Sequence, residues 1–220
     1  GTISPNGRIT TNHGTNQMFT VTPYEGFEVA TFKVDGVDAQ LTNNTYTFTN
    51  VTKDHTINVT FKQIVHTITA SAGSNGTISP SGKVSVNHGK DQTFTVTPNK
   101  GYEVATFTVD GVNAELTNNA YTFTNVTKDH MINVTFKKII YTIVASAEGN
   151  GTISPSGVLS VDEGANQTFK ITPDKGSYEV ESFKVDGVET KLTNNTYTFT
   201  KITKNHTISV TFKHKGNSGK

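Results

Sequence analysis

The pentapeptide Gly-Thr-Ile-Ser-Pro occurs at Gly1, Gly76 and Gly151, and the residues after each copy repeat with few changes. A fixed internal period constrains a chain more than any local signal, because each unit must bury its apolar face alone or against its neighbours. Solenoid repeats run to about 20–50 residues. The spacing here is longer, enough for a unit to close a small core of its own. The sequence therefore predicts beads on a string, with module one over 1–63, module two over 64–138, module three over 139–213 and a tail or linker over 214–220. Segments 64–70 (IVHTITA) and 139–145 (IIYTIVA) alternate like strands and open modules two and three. Module one has no counterpart of them because the sequence starts at Gly1. Either the chain is a fragment of a longer repeat array whose module one here lacks its first strand, with an exposed strand edge expected, or the start is an arbitrary boundary.

All six prolines fall in two repeated places: Pro5, Pro80 and Pro155 in ISP, and Pro23, Pro98 and Pro173 in TP-x-x-G. Both read as turns between strands. Asp35-Gly36, Asp110-Gly111 and Asp186-Gly187 stand between strand-like residues, the strongest short-range hairpin signal. Thr-Asn-Asn at 42–44, 117–119 and 193–195 marks another turn. The extra residue of module three, Ser177, is placed in a turn, because inside a strand it would flip the register. Between the turns the period is two. Tyr46 and Phe48 alternate with Thr45, Thr47 and Thr49, and Ile57, Val59 and Phe61 with Thr56, Asn58 and Thr60. Six or seven short strands per module follow, each with one apolar and one Thr-rich face. No window carries a helical stripe, so little or no helix is expected. The core of module two is predicted as Ile78, Val84, Phe94, Val96, Tyr102, Val104, Phe107, Val109, Leu116, Tyr121, Phe123, Val126, Ile132, Val134 and Phe136.

Composition excludes several classes. The 19 basic and 18 acidic residues leave a net charge of +1 with no long like-charge run, so the basic surplus of a nucleic-acid binder is missing. No apolar run approaches the ~18 residues of a membrane span. No charged-then-apolar opening segment reads as a signal peptide, which is therefore absent or removed. Cysteine is absent, which removes disulfides, thiolate nucleophiles and Cys-based zinc sites.

The string YTI-x-ASA-x-GNGTISPSG-x-x-SV, continuing through QTF-x-ITP and F-x-VDGV to TNN-x-YTFT and H-x-I-x-VTF, resembles the divergent InlB B-repeat domain, three times over nearly the whole chain. The resemblance implies an all-β fold of small β-sandwich or β-grasp-like modules. It also implies a place in large secreted or cell-wall proteins, extracellular or on the cell surface. It brings no catalytic residues. Arg8 departs from the pattern, where a small or aliphatic residue is more common.

Tests for chemistry return turn residues. His55, His130 and His206 precede the last strand of each module. The neighbouring Asp54 and Asp129 become Asn205 in module three, so a catalytic or ligand pair is not repeated. His13 and His88 stand before a glycine, where module three has Glu163. Asp35, Asp110 and Asp186 form no D-x-D-x-D-G calcium loop, and hairpin chemistry accounts for them. No catalytic, cofactor-binding or metal residue is predicted, and no cofactor. Tyr24 is expected to be exposed but stands alone, while Tyr46, Tyr121 and Tyr197 fit the core. Sequons mark Asn43, Asn50, Asn58, Asn125, Asn133, Asn194 and Asn205 as candidate glycosylation sites, with Asn75, Asn150 and Asn166 sharing the pattern. The expectation is a non-enzymatic extracellular repeat region: a spacer, stalk or filament component, with copies of itself as partners through exposed strand edges. The alternatives are an adhesin-type module for glycan or surface protein, and an accessory region of a larger secreted enzyme.

Overall fold

A computed structural model describes residues 1–216; the last four residues of the expected tail, 217–220, lie outside the described residues. The described chain consists of strands and turns, with no helix. The first repeat supplies β1 (Thr2–Ser4), β2 (Gln17–Thr22), β3 (Phe27–Val34), β4 (Val37–Asp38), β5 (Thr45–Phe48) and β6 (Ile57–Gln63). The second supplies β7 (Val65–Ala72), β8 (Gly76–Ser79), β9 (Gly82–Asn87), β10 (Gln92–Pro98), β11 (Tyr102–Val109), β12 (Val112–Asn113), β13 (Ala120–Phe123) and β14 (His130–Lys138). The third supplies β15 (Ile140–Glu148), β16 (Gly151–Ser154), β17 (Gly157–Asp162), β18 (Gln167–Pro173), β19 (Tyr178–Val185), β20 (Val188–Glu189), β21 (Thr196–Phe199) and β22 (His206–His214). Two compact units emerge. The first holds Gly1–Ala72, Ile78–Thr97 and Thr106–Val134; the second holds Gly73–Thr77, Pro98–Ala105 and the described residues from Thr135 onward.

Repeat 3, wholly in the second unit, is a two-sheet sandwich. One sheet has the order β17-β15-β22-β19-β20, the other β16-β18-β21. Ile143, Ala145, Phe183, Ile208 and Val210 from the first sheet meet Ile153, Phe169, Ile171 and Phe199 from the second in one buried cluster. Period-two alternation puts these side chains inward and threonines outward. The outward Thr168 and Thr198 hydroxyls bond at 2.8 Å across β18 and β21. Each large apolar side chain buried here contributes about 1.5–3 kcal/mol. Ser177 falls in the turn before β19, where an insertion leaves the register intact. The three Asp-Gly hairpins have both residues in the left-handed region (Asp186 φ 51°, Gly187 φ 79°), the geometry of a type I′ turn. They return only two residues of strand, β20 pairing Val188 with Val185. That short return strand and β17 raise the count to eight strands per complete repeat, above the six or seven expected.

In the first unit, repeat 1 has the sheets β1-β2-β5 and β4-β3-β6. Among the described residues of repeat 1 there is no counterpart of the β7 and β15 strands that border β14 and β22. Residues 8–12, equivalent to β9 and β17, form no strand, because β9 and β17 take their hydrogen bonds from β7 and β15. Of repeat 2, the pairings of β7 with β9 and of β7 with β14 follow the same plan as their counterparts in repeat 3.

Candidate functional site

In each repeat a histidine and the hairpin aspartate meet at the start of the last strand, β6, β14 or β22. His206 opens β22 and its Nδ1 donates to Asp186 Oδ2 at 2.8 Å, while Asp186 Oδ1 accepts the Thr207 N–H at 2.9 Å. His130 with Asp110, and His55 with Asp35, do the same at 2.8 and 2.7 Å. Each imidazole also lies against a phenylalanine: Phe199, Phe123 or Phe48. Thus the Asp of each hairpin, predicted to serve only its own turn, also clamps the start of the last strand. Each imidazole thus meets the hairpin Asp and not the neighbouring Asp54 or Asp129. The signal was present in the KNH of repeat 3, where the neighbouring acid is lost but His and the hairpin Asp stay.

The electrostatics follow from these bonds. The Thr56 N–H, and then the His55 ring, hold the Asp35 carboxyl below its ordinary 3.8. The Met131 N–H does the same for Asp110, with burial opposing and His130 assisting. For Asp186 burial is the largest influence and disfavours the charge, yet the Thr207 N–H and His206 together bring the carboxyl below 3.8.

The residue beside each His has a different task. Asp129 Oδ1 accepts the Thr67 N–H of β7 at 2.8 Å, and Asn205 Oδ1 accepts the Thr142 N–H of β15 at 2.9 Å. Only a side-chain carbonyl-type oxygen is needed, which explains why Asp and Asn exchange. In repeat 1 the equivalent Asp54 instead lines an open groove of about 710 Å³, with Arg8, Ile9, Phe48, His55 and Ile57. Ile132, Val134, Ile208 and Val210 are at most 1% exposed; their counterparts Ile57 and Val59 are only half-buried. Thr11 stands in this segment where repeats 2 and 3 have the buried Val86 and Val161.

All ten sequon asparagines are exposed. Asn43, Asn50, Asn75, Asn125 and Asn194 occupy left-handed turn positions (φ 48° to 74°), a conformation asparagine tolerates well. Asn205 caps Thr142, and Asn166 Oδ1 accepts the Lys201 N–H at 2.8 Å. Asn58 and Asn133 sit in β6 and β14 with outward side chains, and Asn150 lies in the turn before β16. His13 and His88 occupy turns, as expected, and His88 Nδ1 lies 2.9 Å from His66 Nε2. Among the described residues no group of three or more His, Cys, Asp or Glu could hold a metal ion. Tyr24 is 59% exposed, and its counterparts are Asn99 and Asp174.

Against known proteins, the family description "divergent InlB B-repeat domain" matches residues 1–65, 66–140 and 141–216. The chain belongs to the divergent InlB B-repeat family. Its polar residues recur because each copy needs the same turns and caps. No curated protein matches the chain. Two solved structures are weakly similar. One is the I9–I11 tandem of titin, with 10% identity, a TM-score of 0.16, and coverage of 90% of this chain and 93% of that one. The other is the I67–I69 fragment of titin, with 10% identity, a TM-score of 0.15, and coverage of 90% and 92%. No helix among the described residues is long and apolar enough to cross a membrane.

Proposed function

We propose that this chain is a non-enzymatic structural region of an extracellular or cell-surface protein, a spacer or stalk built of InlB B-repeats. One observation carries the reading: three copies of a single family domain fill residues 1–216, and the polar residues they share serve hairpins, strand starts and turns. Thr-rich outer faces keep such a stalk soluble without high charge. In this reading copies of the chain meet through exposed strand edges, which extends the assembly. Asn58 and Asn133 are the sequons where a glycan meets least structural demand. Antibody against the chain should label intact cells of the source organism, and protease applied to intact cells should remove the label. A signal found only after cell lysis overturns the reading. Light scattering should show concentration-dependent association of the chain, and a monomer at every concentration removes the strand-edge part.

A further inference from the structure

The entry and exit strands of repeat 3 lie side by side and parallel. β15 pairs with β22 from Ile143↔His206 to Glu148↔Thr211 without interruption. β7 and β14 pair likewise from Ile68↔His130 to Ala72↔Val134. A parallel pair has its N-terminal ends together, so the incoming chain of β15 and the outgoing chain of β22 leave at opposite ends of the pair. Tension along the chain therefore pulls the two strands past each other along their length. All the evenly spaced bonds between them are loaded at once rather than one after another. Sliding is also opposed by the core. Ile143 and Ala145 of β15 and Ile208 and Val210 of β22 are buried at 3% exposure or less. A shift of one residue would turn each of these sets toward solvent. Both strands are backed on their outer edges, β15 by β17 and β22 by β19. From this we infer that the β7·β14 and β15·β22 pairs are shear clamps, and that repeats 2 and 3 carry tensile load. The inference rests on the spacer reading and adds to it a mechanical duty. Among the described residues β6 of repeat 1 pairs with β3 alone, so the inference is confined to repeats 2 and 3.

The chain has no cysteine, so pulling handles can be placed at will. In the full chain, Ile140→Cys with Lys213→Cys, both side chains exposed by about half, applies shear to the β15·β22 pair. Ile140→Cys with Lys204→Cys pulls on the same end of both strands and peels them. Single-molecule force spectroscopy should give a several-fold higher unfolding force in the first geometry than in the second, because forced unfolding reads the barrier rather than the equilibrium stability. Equal forces overturn the clamp while leaving the spacer reading to its own localisation test. Val144→Pro supplies a second arm. The Thr142 N–H points to the β22 side, so by alternation the Val144 N–H does too, and Val144 is 43% exposed. Proline there should lower the shear force, whereas Phe169→Leu in the opposite sheet should lower the denaturation midpoint with the shear force retained. A shear force that follows the midpoint in both variants also overturns the clamp. Stretching the chain from its two ends should show, for repeat 3, a length gain of about 24 nm, given ~3.6 Å per extended residue less one folded strand length.

Discussion

Gly151 at the start of β16 lies against the tip of the Phe212 ring in β22, so close that a Cβ built on it would be 2.5 Å from the ring Cζ. Gly76 meets Phe136 and Gly1 meets Phe61 in the same way. The glycine of Gly-Thr-Ile-Ser-Pro recurs because a backbone must touch an aromatic ring there. Gly151→Ala is expected to destabilise repeat 3 by about 1–3 kcal/mol, the usual cost of forcing a methyl group into a filled core. Gly216→Ala, with open space around it, should leave stability within about 0.5 kcal/mol. Urea denaturation of both variants checks the pair.

Acid should weaken the hairpin clamps. A carboxyl whose folded value is depressed contributes stability above its unfolded value and loses it as pH falls through the folded one. For Asp186 the loss begins near 3.8, its ordinary value, and continues below it. Asp186→Asn keeps an oxygen for the Thr207 N–H but not the charge that faces His206. The variant should melt lower than the parent at neutral pH, and the gap should close below about pH 4. A gap that stays constant into acid would remove the charge from the account. Thermal melting across that range measures it.

Phe169 is 0% exposed at the centre of the repeat 3 core. Phe169→Ala should cost about 3–5 kcal/mol, whereas Tyr24→Ala at an exposed turn should cost under about 0.5 kcal/mol. Chemical denaturation midpoints compare them directly.

Asn205→Asp should be tolerated, because Asp129 performs the same capping in repeat 2. Asn205→Ala leaves the Thr142 N–H without its acceptor and should cost about 1–3 kcal/mol. Hydrogen exchange at the Thr142 amide should accelerate in the alanine variant alone.

Much of this architecture was legible in the residues. The Asp-Gly pairs predict hairpins and the Thr-Asn-Asn segments turns, and both are found, with the Asp, Gly and Asn residues in the left-handed region. Alternation predicts the inward set, and Phe94, Val96, Ile132 and Val134 are all at most 1% exposed. The family match agrees with the resemblance carried by the repeated string. What was not legible was long-range. His206 and Asp186 are twenty residues apart, and nothing local says which acid an imidazole will meet. The parallel pairing of β15 with β22 joins strands more than sixty residues apart, and hydrophobic period says nothing of direction. Residues 8–12 keep strand character yet form no strand, and nothing local shows that their equivalents depend on β7 and β15 for pairing.

Between β6 and β7 stands one residue, Ile64, and between β14 and β15 stands Ile139. Ile64 donates its N–H to Gly26 O and accepts the His88 N–H; Ile139 bonds Gly101 O and the Glu163 N–H in the same manner. Since side chains change sides at every step along a strand, this single residue sets the phase with which one repeat hands the chain to the next. One more amino acid at Ile139 would present the oily side of β15 to water or tear both backbone bonds. The lone insertion in the chain, Ser177, was accommodated where phase does not matter. Length at the joints is thus the most tightly rationed quantity in the array, more so than the identity of the residues that fill it.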